Sequence, residues 1–261
     1  MSGIVTLTTD FGDGDGYVAE MKGALLSLNP DLTIVDVTHA IEPQDIRHGA
    51  YVIGTVSKRF PLGTVHVAVV DPGVGTERKQ LIVSHETGVF IGPDNGLLTS
   101  ILTAPGAKAI HEILNPGLTA SWVSRTFHGR DIFAPAAAHL SLGVEIGRFG
   151  PVVPDPILLR EWEPEETKTG ICGHVVHIDR FGSLITNIGS GMMEGKTLER
   201  IQIGGQNLVE LSDAYGDVET GKLVALIGSQ NTLEISVNGE NAAKMLDAGR
   251  GDRVTIAWRQ T

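Results

Sequence analysis

Along the first 150 residues, short apolar runs alternate with stretches in which apolar positions recur at helical spacing. The run IVTLTT (4–9) stops at Asp10 and a glycine-rich DFGDGDG, which predicts a buried strand ending in a loop. In YVAEMKGALLSLNP, residues Tyr17, Met21, Ala24, Leu25 and Leu28 fall on one helical face. A strand at TIVDVTH (33–39), a helix at about 45–60 and a strong strand TVHVAVVD (64–71) follow. QLIVSH and GVFIGP read as two more strands, GLLTSILTA as a helix beginning after Asp94-Asn95-Gly96, and DIFAPAAAHLSLG as another helix. Strands alternating with helices predict an α/β domain with a mainly parallel, Rossmann-like sheet covered on both faces.

The pattern changes near residue 150. PVVPDPILLREWEPEETKTG carries four of the chain's twelve prolines and a run of acids, as a linker does. Beyond it come only short apolar segments and tight turns: GHVVHIDRFG, SLITNI, RIQIGG, LVELS, KLVALIGS, LEISV and RVTIAW. That spacing predicts an all-β, antiparallel barrel or sandwich. The expected organisation is an α/β domain at 1–155, a linker at 156–170 and a β-barrel-like domain at 171–261.

Bulk properties narrow the function classes. The 261 residues are 41% hydrophobic and 20% charged, as in an ordinary globular protein. A formal net charge of −11 argues against nucleic acid or an anionic membrane as partner. Cys172 is the single cysteine, so no internal disulfide and no multi-cysteine metal site can form. The opening MSGIVTLTTD has no basic or long apolar leader, and no apolar run reaches the ~20 residues of a membrane span, which sets the expectation of a cytoplasmic protein. Glycine is abundant, at 33 residues, and clusters after apolar runs, where loops let backbone approach a ligand.

In an open α/β sheet, ligands bind beyond the carboxyl ends of the strands. Asp10, His39 and Asp71 land there, and AVVDPGVGTERK brings Arg78 back seven positions after Asp71. SRTFHGRDIFAP puts His128 in a glycine-containing loop ahead of a helix. Asp10, Asp71, Arg78 and His128 could converge on one crevice. Each also has a structural alternative: Asp10 and Asp131 as helix caps, Arg78 as a solvated turn residue, His128 and His39 as structural histidines. GDGDG is not the G-x-G-x-x-G fingerprint, and the chain has no Walker loop, no H-E-x-x-H and no G-x-S-x-G. Asp13 and Asp15 in DGDG resemble the start of a calcium loop, but Tyr17 and Ala24 stand where further ligands would be required. From these residues alone the chain is an α/β enzyme or binding protein with an acidic crevice.

The set TLTTDFGDGDGYVAEMKG, VVDPGVGTERK, FIGPDNGLLT, TFHGRDIFAP and HIDRFGSLITNI, in that order over nearly the whole chain, resembles the S-adenosylmethionine hydroxide adenosyltransferase family. That family is related to the fluorinating and chlorinating adenosyltransferases. The resemblance implies hydrolysis of S-adenosylmethionine, with the R sulfonium epimer as a candidate form, to adenosine and methionine. It also implies a homotrimer with sites between subunits and no cofactor or metal. Asp10 matches a residue that holds the ribose hydroxyls, as a carboxylate accepting from a cis-diol can. Asp71, Arg78 and His128 match the trio that handles water, Asp71 also contacting substrate. Asn187 matches a residue that reads adenine and Asp179 one that meets the methionine ammonium. Ser229, Glu234 and Val237 match the segment closing over substrate, Val237 through its backbone.

The implied chemistry needs little. A sulfonium releases a neutral thioether, so neither a general acid nor a metal is required. One water placed in line with C5′–S and made more nucleophilic suffices, with Asp71 and His128 accepting or orienting its protons and Arg78 fixing Asp71. The alternatives are a halide adenosyltransferase making 5′-halo-5′-deoxyadenosine, and a nucleoside-binding protein without turnover.

Overall fold

A computed structural model describes residues 2–259, and the chain divides into two compact units, Met1–Arg160 and Glu161–Thr261. The first unit is built on a six-stranded sheet ordered β2-β1-β3-β5-β4-β6. Its strands are β1 (Ile4–Thr9), β2 (Thr33–Thr38), β3 (Thr64–Val69), β4 (Gln80–His85), β5 (Gly88–Pro93) and β6 (Ala107–Glu112). β1 pairs in parallel with β2 and β3, and β3 in parallel with β5, while β4 runs antiparallel to both β5 and β6. The mainly parallel sheet expected from the alternation is therefore present, with one antiparallel strand inserted.

Both faces are covered, which is why β3 (TVHVAV) and β5 are buried at every residue and rich in β-branched side chains. On one face α1 (Tyr17–Leu28) and α4 (Ala134–Ser141) pack Met21, Leu25 and an alanine run against Val5, Leu7, Val65 and Val67. On the other, α2 (Ile46–Val56) and the short α3 (Thr99–Leu102) pack Ile53 and Ile101 against Ala68, Val83 and Phe90. Asp45 caps α2, its carboxylate accepting from the His48 N–H at 2.9 Å. Three details depart from expectation. The buried stripe of α1 is Val18, Met21 and Leu25, whereas Tyr17 and Leu28 are exposed, because the helix turns its second residue towards the sheet. The helix expected over GLLTSILTA shrinks to one turn, and β6, which has no clear alternation, was not anticipated.

The second unit is an antiparallel sheet ordered β11-β10-β14-β8-β9-β13-β12, with β7 (Glu165–Thr167) beside β8. The strands are β8 (Gly170–Ile178), β9 (Leu184–Gly189), β10 (Leu198–Ile203), β11 (Gln206–Leu208), β12 (Leu223–Ile227), β13 (Thr232–Val237) and β14 (Arg253–Trp258). The Ser212 N–H donates to the Ala225 carbonyl at 2.8 Å and Ser212 bridges Leu226, so the chain just after β11 meets β12 and nearly closes a barrel. Its core gathers Ile171, Leu184, Ile201, Leu233, Ile235 and Val254.

Candidate active site

β1 is the switch point of the first sheet: the chain leaves it to one side for β2 and returns on the other as β3. A crevice opens at such a reversal, beyond the carboxyl ends of the strands. Thr9 is in register with Val69, so Asp10 and Asp71 emerge from neighbouring strands at the same edge. Both line a cleft of about 420 Å³ together with Phe11, Tyr17, Phe127 and His128.

The loop after β3 folds back through two turns, with Val74 N–H donating to the Asp71 carbonyl at 3.1 Å and Thr76 N–H to the Gly73 carbonyl at 3.2 Å. Gly75 has φ +76°, and a Cβ there would lie 2.1 Å from the Arg125 carbonyl oxygen, so only glycine lets the two loops approach. This return carries Arg78 onto Asp71. Arg78 Nε donates to Asp71 Oδ1 at 2.9 Å and Nη2 to Oδ2, a two-pronged pair whose side chains are only 7% and 5% exposed. A solvated turn arginine is thereby excluded.

Arg78 Nη2 also lies 2.7 Å from His128 Nδ1. A guanidinium has no acceptor, so Nδ1 accepts, and the neutral ring carries its proton on Nε2. Burial pushes the His128 pKa down, and the Arg78 charge lowers it further, against opposing pulls from Asp71 and Asp131. His128 is thus held neutral, as a hydrogen-bond donor. The remaining Arg78 nitrogen, Nη1, is buried without a protein partner.

Asp10 does not cap α1, whose first position follows Gly16 without a side-chain cap; its Oδ2 accepts from the Gln44 N–H at 2.8 Å. Asp131 is no cap either. It lies in a π-helical turn, Gly129–Phe133, and its Oδ2 accepts from the Ser124 N–H at 2.8 Å. His39 is structural, bonded to Thr9 Oγ1 at 2.8 Å, with its ring 3.1 Å from Asp36 and its carbonyl accepting from the Gly12 N–H. Sequence reasoning passed over the aromatic wall of the cleft, where Phe11, Tyr17 and Phe127 meet with ring centroids 5.2–5.9 Å apart. Its only signal was Phe11 and Phe127 immediately beside Asp10 and His128.

In the second unit Asp179 and Val237 line a separate cleft of about 670 Å³ with Phe181, Ser183, Tyr215 and Ser236. Glu234 is buried behind it, Oε1 accepting from Tyr215 Oη at 2.8 Å and Ser236 Oγ at 2.9 Å. Burial and that carboxylate push the Tyr215 hydroxyl up to about 12. Asp179 Oδ1 accepts from the N–H groups of Phe181 and Ser183 and fixes the turn between β8 and β9. Asn187 stands on β9 away from this lining, with Oδ1 accepting from the His174 N–H and Nδ2 donating to the Trp162 carbonyl. One lone pair and one N–H of its amide remain. Ser229 is exposed in the turn between β12 and β13, at the opposite end of β13 from Val237. Phe181, 78% exposed, was legible as a lone aromatic in a turn, whereas nothing in the sequence pointed to Tyr215. Among the described residues, no cluster of three or more His, Cys, Asp or Glu is arranged to hold a metal ion.

This arrangement has relatives. An (R)-S-adenosyl-L-methionine hydrolase of Salinispora tropica is 37% identical over 97% of each chain. A fluorinase of Nocardia brasiliensis is 30% identical, covering 97% of this chain and 96% of its own. The crystal structure of an uncharacterized conserved protein from Thermotoga maritima matches with a TM-score of 0.89 and 35% identity, over 97% of this chain and 99% of that one. The sequence signature of the SAM hydroxide adenosyltransferase N-terminal domain covers residues 5–150 and that of its C-terminal domain residues 173–255, and the chain belongs to this family.

Proposed function

We propose that the protein hydrolyses S-adenosyl-L-methionine, taking the R sulfonium epimer, to adenosine and L-methionine, by in-line attack of water on ribose C5′. The observation that carries this reading is the Asp71–Arg78–His128 cluster, a carboxylate, a guanidinium and a neutral imidazole in contact at the edge of the cleft. A pure binding site has no use for it. Relatives named (R)-S-adenosyl-L-methionine hydrolase at 36–38% identity over nearly the full chain support the same activity.

In the mechanism, water adds to C5′ while the C5′–S bond breaks, its electron pair staying on sulfur as neutral methionine thioether; the proton leaves the attacking oxygen. His128 offers Nε2–H to that oxygen and so orients a lone pair towards C5′. Asp71 is the acceptor on hand for the proton, since each carboxylate oxygen bonded once by Arg78 keeps a second lone pair. Arg78 holds Asp71 and favours the negative charge developing on oxygen. Asp10 takes the ribose hydroxyls. Asp179 meets the methionine ammonium, Asn187 reads adenine with its remaining donor and lone pair, and Ser229, Glu234 and Val237 belong to the segment that closes over substrate. The assembly is a homotrimer with sites at subunit boundaries, and the protein is cytoplasmic.

A carboxylate at the attack position favours water over halide. An anion stripped of its hydration beside Asp71 would be repelled at a cost of several kcal/mol, whereas water gains a proton acceptor. Incubation with S-adenosylmethionine in excess chloride or fluoride, followed by chromatography, is the test. Adenosine as main product is expected; 5′-halo-5′-deoxyadenosine in its place, or no turnover at all, overturns the reading.

A further inference from the structure

The π-helical turn Gly129–Phe133 follows directly on His128 and carries two charged residues that the proposed chemistry leaves unused. Arg130 Nε donates to Asp131 Oδ1 at 2.7 Å and Nη2 to Oδ2 at 3.1 Å, while Nη1 donates to Glu20 Oε2 on α1 at 2.6 Å. The same guanidinium lies over the Phe127 ring, 4.9 Å from its centroid. Phe127 in turn meets Phe11 and Tyr17 in T-shaped contacts along the cleft wall. Asp131, buried, holds the Ser124 N–H, and the Ala120 N–H donates to its carbonyl. The segment 124–128 is therefore pinned at its start by the Asp131 carboxylate and at its end by the π-turn. Single-turn π segments are frequent at functional sites.

We infer that Arg130, bridging Glu20 of α1 and Asp131 of the π-turn and covering Phe127, is a positioning residue that sets His128 against Arg78 for the reaction. The inference rests on the hydrolytic reading of the cleft, and it is local to that cleft. Among the described residues, no hydrogen bond or ion pair joins Arg130 to Asp71 or Arg78; it acts through the backbone of 127–131 and through Phe127. Its side chain is 30% exposed and that of Glu20 48%, so both can be replaced without opening the core.

The charged groups around the His128 ring are Arg78 and Asp71 from the loop after β3, Asp131 from its own turn, and Asp10 at the end of β1 across the cleft. Removing the Arg130 charge leaves Asp131 and Glu20 uncompensated, which favours protonation of His128. Arg130→Met and Glu20→Gln are compared with wild type and with Arg130→Lys by NMR titration of the His128 ring, assigned with His128→Asn, alongside adenosine affinity, adenosine formation and thermal melting. In Arg130→Met, His128 should titrate at higher pH, and kcat should fall roughly ten- to a hundredfold, as small misplacements of a reacting group do. KM and adenosine affinity should stay within about twofold, and Arg130→Lys should recover part of kcat. An unmoved titration, or a kcat loss that merely parallels a lowered melting temperature, would overturn the positioning role. If wild type forms no adenosine, the hydrolytic reading falls, and the titration still decides whether Arg130 sets the environment of His128.

Discussion

Replacing Asp71 by asparagine changes one charge and almost no volume, and the structure says what that costs. The two carboxylate oxygens face Nε and Nη2 of Arg78 in a pair whose side chains are at most 7% exposed. An amide can accept from only one of them; its NH₂ then confronts a guanidinium N–H, and the arginine charge is left buried and unmatched. Breaking a buried pair from one side costs about 3–5 kcal/mol. For a unit of this size, that lowers the melting temperature by roughly 6–20 °C. Turnover should fall by roughly 10²–10⁴, the usual weight of a proton acceptor. Stability and catalysis can be separated by a second variant, Asp71→Leu combined with Arg78→Met. Exchanging both partners for apolar residues of similar volume is commonly neutral or stabilising. The double variant should regain the lost melting temperature while remaining inactive. Calorimetry and chromatography of adenosine formed from S-adenosylmethionine read the two quantities. Asp71→Asn with near wild-type turnover, or a double variant no more stable than the single one, would refute the reasoning.

Asp10→Ala should weaken adenosine binding by about 1.5–3 kcal/mol, the worth of hydrogen bonds to a charged acceptor, measured by calorimetric titration. Gly75→Ala forces a Cβ to 2.1 Å from the Arg125 carbonyl at φ +76°, so it should lower both melting temperature and kcat by prising apart the loops that bear Arg78 and His128. His66, stacked on Phe90 at 4.8 Å and bonded to Thr6, has its pKa pushed down to about 4 by burial, from an ordinary 6.5. Below pH 6.5 the unfolded chain takes up a proton that the native ring refuses, so stability falls by about 3 kcal/mol between pH 6.5 and 4. His66→Phe should remove that share of the acid sensitivity in denaturant titrations at pH 7 and pH 4.5, leaving the shares of other buried histidines.

The strands, the helix after Asp10 and the change of texture near residue 150 were legible because each depends on residues close in sequence. The return of Arg78 towards Asp71 was suggested by Pro72, Gly73 and Gly75 between them, but a solvated arginine stayed open until the fold buried the pair. His128, fifty residues further on, stood out as a candidate from its glycine-containing loop, but its role beside Asp71 and Arg78 came with the family resemblance; its contact with Arg78 depends on how the π-turn packs against the sheet. Periodicity located α1 but misjudged its face by one position, because packing against β1 and β3, not helical spacing, chooses between Tyr17 and Val18. β6 escaped notice since AKAIHE has no alternation of its own and is held as a strand by pairing with β4. Asp131 shows the same limit: a carboxylate ahead of an apolar run reads as a cap, and only the fold turns it inward to Ser124 and Arg130. The protonation of His128 is also a tertiary property. Sequence supplies an imidazole that can accept or donate, and the guanidinium beside Nδ1 leaves it one way round.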